Sequence, residues 1–317
     1  MAILVAIDVE ADEAALWWPL LRAALPGETL VGEAVVGEAH AGPADAIDAA
    51  LVANPRPGSL AGLPNLRLIQ SLWAGVDRLL DDASVPAGVP IARMVDPAMN
   101  QTMAQTALWA VLGLHRSFFD YARDQRARRW QPQLLHGADG FEVAVLGLGQ
   151  MGRATAQMLA RHGYRVLGWS RTAASGVDGV ELHAGDAALA QVLARAQIVV
   201  NLLPLTPRTR GLFNAETLAR MPPGASLVNL ARGAHVVEAD LLAALDRGHL
   251  HHAVLDVFAA EPLPPAHAFW AHPAVTVLPH VAAPTEPRSA APIAARNILA
   301  LRAGEPLRHL VDRTRGY

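Results

Sequence analysis

The sequence predicts an α/β protein of two domains, each built on a parallel sheet. Two observations carry this reading. Short apolar runs alternate with helical stretches over residues 2–81 and again over 142–278, the order that lays helices on the faces of parallel sheets. At the head of the second series stands F-E-V-A-V-L-G-L-G-Q-M-G-R-A-T-A-Q-M-L-A-R-H-G, residues 141–163, which reads as strand, glycine turn and helix.

Taken in order, 2–8 reads as a buried strand, 11–25 as a helix, 47–53 and 66–70 as strands and 75–81 as a short helix. Residues 100–121 read as one long apolar-rich helix, followed by the arginine-rich R-D-Q-R-A-R-R-W at 123–130. The second series has strands at 142–146, 165–169, 197–203, 225–230, 252–257 and 275–278. In the glycine turn, Gly147 permits the tight bend, Gly149 lets backbone approach a pyrophosphate, and Gly152 lets the helix pack closely on its strand. The helix start offers free N–H groups to phosphates, so the segment points to a dinucleotide cofactor. The helix stops at a basic last turn, His162, with Gly163 beyond it. Pro204, Pro207, Pro222, Pro223, Pro262, Pro264 and Pro265 punctuate the loops after the later strands, where an open α/β sheet holds its ligands. A last helix, about 286–303, ends at Gly304, and Pro287 and Pro292 predict irregular first turns.

With 317 residues, 52% apolar and 17% charged, the chain has room for two cores and the balance of an ordinary globular protein. A formal net charge of −3 sets aside nucleic acid and anionic membrane as main partners. No cysteine is present, so there is no disulfide framework and no thiolate nucleophile, as suits a reducing compartment. The opening M-A-I-L-V-A-I-D lacks a basic region, and no apolar stretch reaches membrane-spanning length; a soluble, cytoplasmic protein is expected.

Three further segments place reactive side chains at strand ends: N-L-A-R-G at 229–233, L-D-V-F-A-A-E-P-L at 255–263 and L-P-H-V-A at 278–282. Arg232, Glu261 and His280 are the apt residues. Reduction of a 2-keto acid needs a proton donor for the carbonyl oxygen, a cation for the carboxylate and a hydride source. A histidine beside a carboxylate supplies the first, an arginine fork the second and a nicotinamide the third.

At these residues the chain resembles the D-2-hydroxyacid dehydrogenase family, and within it the glyoxylate/hydroxypyruvate reductase A branch. The likeness extends to S-L-W-A-G-V-D at 71–77, W-Q-P at 130–132, W-S-R-T at 169–172, N-L-L-P-L-T-P at 201–207, N-L-A-R-G-A-H-V-V-E at 229–238 and V-D-R-T-R-G-Y at 311–317. The resemblance implies that Arg232 holds the substrate carboxylate and polarises its carbonyl, that His280 is the acid/base, and that Glu261 is its partner. It implies that Asp256 contacts the nicotinamide carboxamide and that the amides of Ala74 and Gly75 receive the substrate carboxylate. Trp73 departs from the family, which usually has a small residue there, and is expected to narrow or reshape the pocket. Gln150 and Met151 in the turn, and Leu203 and Pro204 after a later strand, complete the expected cofactor site. A homodimer built on the cofactor domains is also implied.

The expected architecture is thus a Rossmann-type doubly wound cofactor domain, 99–283, inserted in a smaller flavodoxin-like substrate domain made of 1–98 and the returning segment 284–317. Cofactor choice is read at the end of the strand after the glycine turn. An NAD enzyme would usually place an acid there, 18 residues after Gly152. This chain has Ser170, followed by Arg171 and Thr172, which suit a 2′-phosphate, so NADPH is expected to be preferred with NADH possible. Ala173 and Ala174 stand where the branch often adds further basic residues. Two alternatives share the fold: a formate- or phosphite-type dehydrogenase, and a dinucleotide-sensing corepressor-like binding protein.

Other conspicuous residues carry blander readings. R-G-H-L-H-H at 247–252 lacks a supporting acid or cysteine at ligand spacing and reads as a surface turn entering a strand, so no metal is assigned. The arginines at 123, 126, 128 and 129 read as a solvated face or a subunit contact, and Trp17 and Trp18 as core and boundary packing.

Overall fold

The computed structural model describes residues 1–32, 43–134 and 136–317. Two compact units emerge, Met1–Ala98 with Thr285–Tyr317, and Met99–Pro284.

The first unit contains β1 (Ala2–Ile7), α1 (Ala11–Ala24), β2 (Leu30–Gly32), β3 (Ile47–Ala53), β4 (Leu68–Ser71), α2 (Asp77–Asp81) and β5 (Ile91–Ala92). All pairings are parallel, in the order β2-β1-β3-β4-β5, which is the flavodoxin-like order. Strands β3 and β4 are buried along their whole length, and the polar side chains they carry inside find partners, Asp48 in Arg302 and Gln70 in Asn297. The C-terminal helix, Pro287–Ala303, packs against this sheet. Pro287 occupies its first turn, where a missing N–H costs nothing, and the Glu286 side chain caps Ser289 N–H, so this first turn is regular rather than broken. Arg302 ties the helix end to Glu28 and Asp48. Trp17 is fully buried on α1, while Trp18 lies under the Arg22 guanidinium.

The chain then runs through α3 (Pro97–His115), α4 (Phe118–Arg126), β6 (Glu142–Leu146), α5 (Gln150–Arg161), β7 (Arg165–Ser170), β8 (Val180–Ala184), α6 (Asp186–Arg195), β9 (Ile198–Asn201), α7 (Ala215–Arg220), β10 (Ala225–Asn229), α8 (Glu238–Asp246), β11 (Leu250–Leu255) and β12 (Val275–Val277). Its sheet is wholly parallel, in the order β12-β11-β10-β9-β6-β7-β8. Counted within the unit, this is the 3-2-1-4-5-6 winding of a dinucleotide fold with one strand added beyond the sixth. The order reverses between β6 and β9, whose ends meet at the register pair Leu146 and Asn201.

The single helix expected over 100–121 is two helices. Ser117 takes φ 55° and turns the chain back, so that the Phe119 ring lies on Gly113, where a Cβ would stand 2.5 Å from it. The arginine-rich stretch pairs locally, Arg123 with Asp120 and Arg129 with Asp124. The histidines of 249–252 are engaged separately: His249 with the Leu218 carbonyl, His251 with Asp120 and His252 with the Thr276 hydroxyl. Among the described residues, no helix is long and apolar enough to cross a membrane.

Candidate active site

The glycine turn lies at the reversal point of the larger sheet; the fold itself requires two of its three glycines, Gly147 and Gly152. Gly147 has φ 97°, and a Cβ there would stand 2.7 Å from the Leu202 carbonyl oxygen, so the turn is pressed against the loop after β9. At Gly152 a Cβ would fall 1.7 Å from the Gly147 carbonyl oxygen. The close contact is therefore with the turn itself; the strand side chain, Val145, is 4.0 Å away. Gly149 is exposed, and nothing lies within 4 Å of its would-be Cβ. Open space thus faces the start of α5, whose first N–H groups have no intrahelical acceptor, and this suits a pyrophosphate.

Gln150 and Met151 form the first turn of α5 over this space. The helix holds its place because Thr155, Ala156, Met158 and Leu159 face inward at helical spacing. Leu203 is buried in the core, and Pro204 is half-buried beside it. At the end of β7, whose own sequence R-V-L-G-W-S holds no acidic residue, the Ser170 hydroxyl donates to the Thr172 carbonyl at 2.7 Å, and Arg171 follows.

The three residues expected to carry the chemistry follow three adjacent strands of this unit, Arg232 after β10, Glu261 after β11 and His280 after β12. His280 Nδ1 lies 2.8 Å from Glu261 Oε2, with the two side chains 50% and 23% exposed. The other carboxylate oxygen of Glu261 accepts from Phe258 N–H at 2.9 Å. Burial pushes the Glu261 carboxyl up, but the His280 bond, the Phe258 N–H and the Arg232 charge outweigh it and hold the group below the usual glutamate range. His280 itself adopts φ 55°, with its N–H donating to the Asp256 carbonyl at 2.8 Å.

Asp256 is 1% exposed, and its carboxylate oxygens accept from Val281 N–H at 2.7 Å and Ala282 N–H at 3.0 Å. Burial raises its carboxyl above the ordinary value against the pull of these bonds. Main chain and side chain of Asp256 together fix the backbone from His280 to Ala282. Arg232 is half-buried and donates from Nη1 to the Ala231 carbonyl at 2.7 Å.

Sequence reasoning passed over the residues that align these loops. Asn201 and Asn229 are fully buried at the ends of β9 and β10, and Asn201 Nδ2 donates to Asn229 Oδ1 at 2.9 Å. Asn229 Nδ2 in turn donates to the Arg232 carbonyl at 3.0 Å. His235, also fully buried, sets one ring nitrogen 3.1 Å from that carbonyl and the other 3.3 Å from the Pro204 carbonyl. A signal was present: an asparagine closing two otherwise apolar strands, I-V-V-N and S-L-V-N, is a buried polar group that must find partners.

In the smaller unit, Trp73, Ala74 and Gly75 follow β4 and are half-buried. Ser71 holds Trp73 through its hydroxyl, which bonds both Trp73 N–H and carbonyl at 3.0 Å. The Trp73 ring meets Trp17 edge to face at 6.1 Å.

Comparison with known proteins places this arrangement in a family. Residues 108–282 match the NAD binding domain of D-isomer specific 2-hydroxyacid dehydrogenase. The chain is 45% identical to glyoxylate/hydroxypyruvate reductase A of Serratia proteamaculans over 275 residues, 85% of this chain and 88% of that protein. A crystal structure of a D-isomer specific 2-hydroxyacid dehydrogenase from Xanthobacter autotrophicus Py2 with NADPH and MES superposes with a TM-score of 0.94 at 44% identity, covering 100% of this chain and 99% of that one. The NADPH-dependent glyoxylate/hydroxypyruvate reductase of Sinorhizobium meliloti with NADP and sulfate gives 0.92 at 33% identity, covering 100% and 99%. With the family domain spanning the glycine turn and all three strand-end residues, the chain belongs to the D-isomer specific 2-hydroxyacid dehydrogenases.

Proposed function

We propose that this enzyme reduces small 2-keto acids, glyoxylate and hydroxypyruvate foremost, to 2-hydroxy acids, with NADPH preferred over NADH. The observation that carries the chemistry is the His280–Glu261 contact of 2.8 Å, placed on a strand end adjacent to the one that bears Arg232. The bound nicotinamide supplies a hydride to the carbonyl carbon. Glu261, held ionised, accepts from Nδ1–H of His280 and leaves Nε2–H to protonate the carbonyl oxygen, so hydride and proton together complete the alcohol. The Arg232 guanidinium binds the substrate carboxylate through paired N–H donors and fixes the keto group's orientation. Ala74 and Gly75 are proposed to receive the carboxylate through backbone amides, and Asp256 to meet the nicotinamide carboxamide, on the strength of their motifs.

The cofactor preference is supported by Ser170, Arg171 and Thr172 at the β7 end and by relatives crystallised with NADPH or NADP. A homodimer on the larger unit is proposed because Trp109, Phe118, Trp130 and Leu134 leave large apolar side chains uncovered, Trp130 being 98% exposed. The cytoplasm is proposed as its location from composition. Consumption of reduced cofactor with glyoxylate and hydroxypyruvate, run in parallel with NADPH and NADH, tests the reading. Absence of turnover with any 2-keto acid would favour the dinucleotide-sensing alternative, and a better kcat/KM with NADH would reverse the cofactor assignment.

A further inference from the structure

The loop that follows β7 carries Arg171 and Thr172, yet residues 171–177 form no helix or strand. A loop reads a ligand well only if something holds it. One end is held by the Ser170 hydroxyl on the Thr172 carbonyl. The far end is held by Arg153, whose Nη1 donates to the Ser175 carbonyl at 2.6 Å. The same guanidinium reaches back through Nε to the Leu148 carbonyl, inside the glycine turn, at 3.1 Å. Arg153 is itself fixed, because its N–H makes the first bond of α5, to the Gly149 carbonyl at 2.9 Å.

One side chain therefore bridges the turn that suits the pyrophosphate and the loop that suits the 2′-phosphate. Both of its bonds go to neutral carbonyls, and among the described residues no carboxylate pairs with it. Its charge is left to act on whatever anion sits nearby, in the part of the molecule where Ala173 and Ala174 offer none.

We propose that Arg153 is a specificity-determining residue for the 2′-phosphate of the cofactor, clasping the 171–175 loop to the glycine turn and supplying a second positive charge beside Arg171. The inference rests on the NADPH reading above. Its consequence is selective: the pyrophosphate, common to both cofactors, is bound by the turn and the α5 start, whereas the loop position matters only to a ligand that carries the extra phosphate.

The test is direct binding of NADPH and of NADH, followed by the fluorescence of the reduced nicotinamide, to the wild type, Arg153→Met, Arg153→Lys and Arg171→Ala. Arg153→Met keeps the length of the side chain and removes charge and donors; it should raise the Kd for NADPH about tenfold, the loss of one charge-assisted contact, and change that for NADH less than about twofold. Arg153→Lys keeps the charge without the fork and should fall between the two. Equal weakening of both cofactors, or an unchanged NADPH Kd in either Arg153 variant, overturns the proposal. If thermal melting shows Arg153→Met to be misfolded, the lysine variant decides in the same way. A wild type that binds both cofactors alike would instead overturn the NADPH reading. A wild-type preference lost in Arg171→Ala but kept in Arg153→Met would overturn the role of Arg153 alone.

Discussion

A Gly233→Ala substitution would set a Cβ 1.9 Å from the Phe258 carbonyl carbon, 2.2 Å from its oxygen and 2.4 Å from Ala259 N. Ordinary contact begins at 3.4 Å, so the two backbones must part by about 1.5 Å (3.4 less 1.9). All three obstructing atoms are main chain, and no rotamer change relieves the clash. The segment that must move is the one whose Phe258 N–H holds Glu261, and the methyl group sits directly after Arg232. Overpacking of this kind costs about 1–3 kcal/mol of stability, and a misplacement on the order of 1 Å at reacting groups costs roughly 10²-fold in rate. The expected result is a kcat/KM for glyoxylate down by about 10²-fold or more with a lowered Tm, while the NADPH Kd, proposed to depend on the glycine turn and the loop after β7, stays within about twofold. Wild-type kcat/KM at an unchanged Tm would refute the claim that these two backbones are in rigid contact.

Three other outcomes follow from the same geometry. Arg232→Lys should lower kcat/KM for glyoxylate by about 10²-fold although the charge is kept, because the planar fork is lost; activity within a few-fold of wild type would remove the carboxylate-binding role. The folded-state pKa of Glu261 lies below its ordinary 4.5, so the carboxylate's contribution to stability is present above that value and is lost as pH falls through the lowered one; Tm should vary less with pH in that acidic window in Glu261→Gln, and parallel curves would mean the pairing does not stabilise the fold. Trp73→Gly should raise activity on bulkier 2-keto acids relative to glyoxylate and, by stripping the edge contact from Trp17, cost about 2 kcal/mol in stability; an unchanged substrate ratio would show that the ring does not limit the substrate.

What the sequence makes legible here depends on how much a residue's role is local. The strands β3, β6, β9 and β10 declare themselves as short, mostly apolar runs because both faces are covered. Strands β2, β5 and β8 were not foreseen. The first two have three and two residues, and the third, V-E-L-H-A at the sheet edge, is half-exposed and mixed in polarity. The break between α3 and α4 escaped because Arg116–Ser117 carries neither glycine nor proline, and the turn is set by packing of Phe119 on Gly113. In the candidate site, the side chains proposed to react stand out in the sequence because each follows a strand in a recognisable motif. The alignment of their loops does not: Asp256 holding the amides of Val281 and Ala282, or Arg153 spanning 22 residues to Ser175, is written in main-chain geometry that residue identities do not record.

The left-handed backbone of His280 has a consequence for what evolution and engineering can do with this position. An L side chain at φ 55° is held there at a cost of about 1 kcal/mol, and the surrounding bonds to Asp256 and Glu261 keep it in place. Glycine is the residue that this backbone would accept without strain. A His280→Gly variant should therefore lose turnover, while its thermal stability balances the strain relieved at this backbone against the partner lost by Glu261. The pairing with Glu261 thus does two jobs at this position, since it offsets the strain that a histidine brings to left-handed backbone and it orients the ring.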